Sequence, residues 1–422
     1  MAKFIVEQSG PLVGEVEISG AKNAVLPILA ATILTGEPCE INDAPRLRDV
    51  DVMLDILRAL GAKVSENWDE HSIKVEAADI ITSQVPYDLV KRMRASFFVM
   101  GPLLARTGKT SISMPGGCSI GNRPIDLHLK GLKTLGTRIL MDQNGSIDGI
   151  VDKLVGNLVY LDFPSVGATE NIMMAATLAE GITVIENAAE EPEIVDLASF
   201  LNKMGAKIKG AGTDTIRIEG VKSLHGARHA VIPDRIETGT FMVAAAITRG
   251  DVLIKNSVPG HVRPAIAKLL ECGAIVNDEV DGLRVRGDIN TLRATNIKTL
   301  PYPGFPTDMQ ALFMALLTTC EGDSQVIETV FENRFMHADE LNRMGANIRM
   351  DDRTAYIPGN IRPLVGASVI STDLRGGAAL VLAGLVARGR TEVGDIYHIE
   401  RGYENFLNKL KGLGAKITRV ED

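Results

Sequence analysis

Aromatic side chains are scarce in this chain of 422 residues: 4% are Phe, Tyr or Trp, and Trp68 is the only tryptophan. With few rings to stack on bases and a formal net charge of −8, a nucleic-acid partner is excluded. Cysteine is short as well. Cys39, Cys118, Cys272 and Cys320 show neither metal-ligand spacing nor a CxxC pair, so no metal site is expected. No run reaches the roughly 18 apolar residues of a spanning helix, which argues against membrane insertion. The start, Met1-Ala2-Lys3-Phe4-Ile5-Val6-Glu7, lacks an apolar signal core and reads as a strand. These absences lead to the expectation of a soluble cytoplasmic protein with reduced thiols and a core of Ala, Leu, Ile, Val and Met.

Glycine, by contrast, recurs with a period. Leu60-Gly61-Ala62, Leu135-Gly136-Thr137, Met204-Gly205-Ala206, Cys272-Gly273-Ala274, Met344-Gly345-Ala346 and Leu413-Gly414-Ala415 each end a helix-like run, 75, 69, 68, 72 and 69 residues apart. A second series, Gly36, Gly108, Gly181, Gly250, Gly322 and Gly389, ends more apolar helices at about the same spacing. Glycine at these ends supplies a left-handed turn into the next strand. Helices such as Thr240–Ala246 and Ala378–Ala387 are apolar nearly all round and must be covered on most sides. Others carry one stripe, as in Ile194, Leu197, Leu201 and Met204, with Asp196, Asn202 and Lys203 on other faces.

The expected unit is strand, buried helix, strand, amphipathic helix, strand, strand. Used six times, three per domain, it predicts an α/β protein with residues 20–231 in one domain and 1–19 plus 232–422 in the other. A solenoid suits buried helices less well than a closed domain. Leu12-Val13-Gly14, Leu154-Val155-Gly156 and Leu364-Val365-Gly366 open strands ahead of buried helices.

The helix starts do not repeat. Lys22, Arg94, Arg235 and Arg375 stand at or near them, where a cation opposes the helix dipole unless an anionic ligand compensates. Asp234, Thr307 and Ser165 read as helix caps, and Asp308 reads first as a cap and second as a general base. Pro115-Gly116-Gly117-Cys118-Ser119-Ile120-Gly121 forms a surface loop that presents one thiol near Arg123 and His128; a structural and a reactive thiol stay open as readings.

Eight segments then carry a resemblance: Ser19-Gly20-Ala21-Lys22-Asn23-Ala24, the Cys118 loop, Arg123-Pro124-Ile125-Asp126-Leu127-His128, Pro233-Asp234-Arg235-Ile236-Glu237, Phe305-Pro306-Thr307-Asp308-Met309, Glu332-Asn333-Arg334-Phe335-Met336-His337, Thr372-Asp373-Leu374-Arg375 and Arg401-Gly402-Tyr403-Glu404. In this order and over nearly the whole length, the chain resembles the enolpyruvyl transferases that act on UDP-N-acetylglucosamine in peptidoglycan synthesis. The resemblance implies a two-domain inside-out α/β barrel with its site in the cleft. It implies transfer of enolpyruvate from phosphoenolpyruvate to the sugar 3-hydroxyl with release of phosphate, and no cofactor or metal. By the same resemblance Lys22, Arg123 and Arg401 hold phosphoenolpyruvate, with Arg334, Asp373 and Arg375 near it. Asn23, Arg94, Arg123, Pro124, Ile125, Asp126, Leu127, Ser165, Val166, Asp308 and Val330 hold the sugar nucleotide. Cys118 is the implied general acid and Asp308 the implied base. Phe163 and Pro164 replace a Lys-Val pair of some members, which shifts diphosphate contacts toward Arg94 and the Ser165 helix start. The shikimate-pathway transferase and a non-catalytic sugar-nucleotide binder are the competing readings. Oligomeric state stays open, a monomer included.

Overall fold

The structure, a computed structural model, describes residues 2–116, 125–142, 145–287, 291–359 and 362–421. They divide into two compact units, residues 2–19 with 233–421 and residues 20–116 with 125–232.

The third repeat shows the plan. Strand Leu158–Tyr160 leads to the buried helix Val166–Ala176, then strand Ile182–Glu186, the amphipathic helix Pro192–Lys203, and strands Lys207–Lys209 and Thr215–Glu219. The two strands flanking the buried helix pair in parallel, and the last two strands add antiparallel. Among the described residues, five sheets have four strands. The sheet of Lys109–Ser113, Arg138–Met141 and Ser146–Ile150 has three, and a lone parallel bridge from Gln84 to Ser111 holds the fourth place. Pro86 follows directly and caps a helix, Tyr87–Arg92, which cuts that strand short.

Burial explains the apolar helices. Every residue of Gln310–Leu317 is buried, as are Ile236 to Ile247 and Arg375 to Leu385 in the helices Arg235–Ile247 and Leu374–Val386. These three helices pack against one another inside their unit. In the other unit Val166–Ala176 packs against Lys22–Ala31 and Met100–Thr107. Each buried Leu, Ile or Met contributes about 1.5–3 kcal/mol, so surrounding a helix on all sides strongly favours the closed unit.

Both links between the units run from a strand to a buried helix. Val13–Glu17 pairs in parallel with Asp251–Lys255, yet the helix that follows it, Lys22–Ala31, belongs to the other unit. Arg228–Ala230 pairs with Cys39–Asn42, and the helix after it, Arg235–Ile247, lies across the second boundary. The N-terminal strand Ala2–Glu7 sits between Arg390–Gly394 and Ile417–Glu421, filling the last place in the sixth repeat.

Buried carboxylates hold the connecting segments. Glu237 accepts from the Ser19 amide at 2.8 Å and from Lys409 at 2.7 Å. Asp196 accepts from the Ile232 amide at 3.2 Å and pairs with His229 at 2.8 Å. Asp196 is therefore not on the polar face of its helix, as the stripe suggested, but buried against the crossover strand. Its partners arrive from 33 and 36 residues away, beyond the reach of a helical pattern.

The left-handed glycine holds at all six Gly61-type ends, from φ 92° at Gly273 to φ 110° at Gly61. In the second series Gly36 and Gly250 are exceptions. At the latter, Arg249 takes the left-handed conformation, and Gly250 is needed because a Cβ there would lie 2.1 Å from the Leu12 carbonyl oxygen.

Three expectations follow from this packing. Gly345→Ala meets no atom within 4 Å at φ 93° and should lose about 1–2 kcal/mol of unfolding free energy from strain alone. Gly220→Ala, whose Cβ would fall 1.6 Å from the Ala179 oxygen, should lose more in urea titrations. For Glu237, burial pushes the carboxyl up to about 7 against the opposing Lys409 ammonium. The folded protein then keeps a proton that the unfolded chain releases near its ordinary value of 4.5, so stability falls as pH rises between those values. Urea titrations of wild type and Glu237→Gln at pH 5 and pH 8 should show the wild type losing ground to the variant, at most about 1.4 kcal/mol per pH unit.

Candidate active site

Three helix starts meet around Arg375 in the unit that holds residues 233–421. Asp308 accepts from Arg334 Nη2 at 2.7 Å and from Arg375 Nη2 at 3.5 Å. The Asp234 carboxylate is close enough to act on the Arg375 charge. Both arginine side chains are buried, at 3% and 2% exposure, against 27% for Asp308. Burial opposes the Arg375 charge, but Tyr403, Asp308 and Asp234 outweigh it and hold its pKa above the ordinary value. The guanidinium lies 5.0 Å from the centre of the Tyr403 ring, and the Tyr403 hydroxyl bonds Thr240 at 2.8 Å. Arg375 Nε and Nη1 and Arg334 Nη1 are buried without a hydrogen bond of good geometry among the described residues, although the Tyr403 hydroxyl is near enough to support the Arg375 charge. Guanidinium donors left over in this way suit an oxyanion with several acceptor oxygens.

Asp234 and Asp373 cap their helices: the first accepts from the amides of Ile236 and Glu237, the second from those of Arg375 and Gly376. Asp308 does not cap. The short 3₁₀ turn Thr307–Met309 has no side-chain cap, and the Asp308 carboxylate is taken by the two arginines. Thr307 does not cap either; its hydroxyl donates to Glu328 at 2.9 Å. The Val330 amide donates to Glu328 as well. Arg401 ends the short helix Tyr397–Glu400 and is half-buried.

In the other unit Lys22 is the first residue of its helix and pairs with Asp49 at 3.4 Å; Asn23 follows, half-buried. Asp49 lies in the first turn of Arg48–Leu60, where the dipole favours a carboxylate. Arg94 opens the turn Arg94–Val99. Burial first and the Arg94 charge second lower the pKa of His128 to about 3, so this histidine adds no positive charge. Its Nδ1 faces the Asn171 amide at 3.2 Å. Ser165 caps its helix by accepting from Ala168, and Val166 begins that helix, half-buried. Phe163 is exposed two residues earlier. Ile125 is buried ahead of the helix Asp126–Thr134, with Asp126 exposed and Leu127 half-buried at its start. Cys118, Arg123 and Pro124 lie outside the described residues.

Thus Asp308, Arg334 and Arg375 come together, and Lys22 gains a carboxylate neighbour. Sequence reasoning missed Asp49, Glu328 and the role of Tyr403. Tyr403 stood inside a quoted motif; Asp49 and Glu328 looked like an ordinary first-turn acid and a strand-end acid. Two grooves of about 240 and 370 Å³, one beside Thr82 to Tyr87 and one beside Pro264 and Ile297, are lined by none of the candidate residues.

A family model described as EPSP synthase (3-phosphoshikimate 1-carboxyvinyltransferase) matches residues 6–410. The chain is 61% identical over 417 residues to UDP-N-acetylglucosamine 1-carboxyvinyltransferase 1 of Caldanaerobacter subterraneus subsp. tengcongensis, with 99% of each covered. It is 60% identical over the full length of both to UDP-N-acetylglucosamine 1-carboxyvinyltransferase 2 of Carboxydothermus hydrogenoformans. Among solved structures, the enolpyruvyl transferase NikO from Streptomyces tendae superposes with a TM-score of 0.90 at 26% identity over 99% of both chains. An EPSP synthase from Acinetobacter baumannii, at TM-score 0.78 and 18% identity over the full length of both, shares the fold. The fold is therefore the two-domain inside-out α/β barrel. The chain belongs to the EPSP synthase family of enolpyruvyl transferases.

Asp308→Asn removes the carboxylate that Arg334 and Arg375 share, leaving Asp234 to act on Arg375, and should lower the unfolding free energy by at most roughly 3 kcal/mol, the low end for a broken buried pair. Inorganic phosphate should recover part of that loss in urea titrations by binding the freed donors.

Proposed function

We propose that this chain transfers the enolpyruvyl group of phosphoenolpyruvate to the 3-hydroxyl of UDP-N-acetylglucosamine and releases phosphate. The observation that carries the reading is identity of 61% and 60%, over essentially whole chains, to two proteins named for that reaction. The buried, under-satisfied arginines beside Asp308 support it, because the donor substrate carries a phosphate and a carboxylate.

In this reading a proton adds to the methylene carbon of phosphoenolpyruvate while the sugar oxygen bonds its central carbon. The tetrahedral phospholactoyl adduct then loses phosphate and a methyl proton to restore the double bond. Asp308 takes the hydroxyl proton, and an incoming oxyanion competes with it for Arg334 and Arg375. Lys22, Arg123 and Arg401 neutralise the donor's charges, and Cys118 supplies the carbon-bound proton. Preorganised cations of this kind are worth about 100–1,000-fold per donor, and a positioned acid about 100–10,000-fold. Asn23, Arg94, Ser165 and Val166 contact the sugar nucleotide, with Arg94 taking the load left by Phe163 and Pro164. The reading needs residues from both units to act on one pair of substrates. Among the described residues no helix is long and apolar enough to cross a membrane. Both substrates of this reading are charged and do not cross a bilayer unaided, which supports a cytoplasmic location.

The family description favours a second acceptor, shikimate 3-phosphate. Phosphate release should be measured with phosphoenolpyruvate and each acceptor separately. Release with UDP-N-acetylglucosamine alone is expected; release only with shikimate 3-phosphate would overturn the proposal, and release with neither would leave a binder. Cys118→Ser should fall at least about 100-fold in turnover and escape the covalent mass shift that fosfomycin gives the wild type.

A further inference from the structure

The starts of the three buried helices in the unit of residues 233–421 form an internal comparison. Two of them, at Asp234 and Asp373, spend their own carboxylate on the first free amides of the helix. The third, at Pro306-Thr307-Asp308, has no such cap, and its carboxylate points to Arg334 and Arg375 instead. Something else must hold that turn, because an uncapped start loosens by about 1 kcal/mol.

Glu328 is that group. It is fully buried, at 0% exposure, and lies just past the strand Ser324–Ile327. Its Oε2 accepts from the Thr307 hydroxyl at 2.9 Å. Its Oε1 accepts from the Thr299 hydroxyl at 2.8 Å and from the amides of Val330 and Phe331 at 2.8 and 3.2 Å. The Thr299 hydroxyl also accepts from the Thr329 amide, which fixes its proton toward Glu328. One carboxylate thus ties together three segments: the strand-end residue Thr299, the turn that carries Asp308, and the turn that carries Val330 and Phe331. The ring of Phe331 in turn faces Arg334, the nearer partner of Asp308.

We propose that Glu328 is a positioning residue for the base assigned to Asp308: by anchoring Thr307 and the Val330–Phe331 turn, it spares the Asp308 carboxylate from capping and keeps it turned toward Arg334 and Arg375, where the sugar hydroxyl is to meet it. The inference deepens the proposed transferase reading and rests on it. Remove the Thr307 anchor and the first turn is free to close as a regular helix, with the Asp308 carboxylate drawn toward the vacant amides. A misplacement of about 1 Å at a reacting group costs on the order of 100-fold.

The test compares kcat and KM for UDP-N-acetylglucosamine in wild type, Thr307→Val, Thr307→Ser and Glu328→Ala, each corrected for folded fraction by urea titration. Thr307→Val should lose about 10–100-fold in kcat while KM moves less than about threefold. Thr307→Ser, which keeps the hydroxyl, should return to within about threefold of wild type. Glu328→Ala should lose at least as much as Thr307→Val; the threonine pair decides the matter if that variant does not fold. A Thr307→Val enzyme with wild-type kcat, or a Thr307→Ser enzyme as impaired as Thr307→Val, overturns this inference alone. A wild type that does not turn over UDP-N-acetylglucosamine overturns the transferase reading and this inference with it.

Discussion

A helix that is apolar on every side cannot face water, and that constraint organises both units. Gln310–Leu317 has no exposed residue, and its neighbours Arg235–Ile247 and Leu374–Val386 are nearly as covered. Covering such a helix takes two like helices and the sheets around them, so the repeat is used three at a time. The links near residues 20 and 232 keep to the same plan: each strand stays in a sheet of its own unit, while the buried helix that follows it belongs to the other. With the interior filled by side chains, polar chemistry is left to the helix ends.

Charge at those ends is the second theme. Cations at a helix start oppose the dipole, and the structure answers with carboxylates drawn from other elements: Asp49 for Lys22, and Asp308 for Arg375. The compensation is incomplete at Arg375 and Arg334, whose remaining donors are buried without a hydrogen bond of good geometry among the described residues. In the proposed reading an anionic substrate supplies what those donors lack. Among the carboxylates of this unit Asp234 and Asp373 are consumed by capping, while Asp308 is kept for the arginines.

Much of the repeat was legible in one sequence because its signals are local. The left-handed glycine after each amphipathic helix is required by backbone geometry, so Gly61, Gly136, Gly205, Gly273, Gly345 and Gly414 announce the six units wherever they sit. At Asp196, Thr307 and Asp308 a local rule was overridden from a distance. Asp196, read as a polar-face residue, is buried by a crossover strand that begins 32 residues later. Asp308, read first as a cap, is pulled off its helix by Arg334 and Arg375.

The chain's own pattern determined the number of repeats, the identity of the buried helices and the set of charged residues at their starts, since each follows from the periodicity of apolar side chains and from residues a few positions apart. Only the tertiary structure decided which carboxylate meets which cation, because hydrogen bonds such as those of Glu328 to Thr299 and Thr307 join segments whose separation in sequence carries no record of their approach in space.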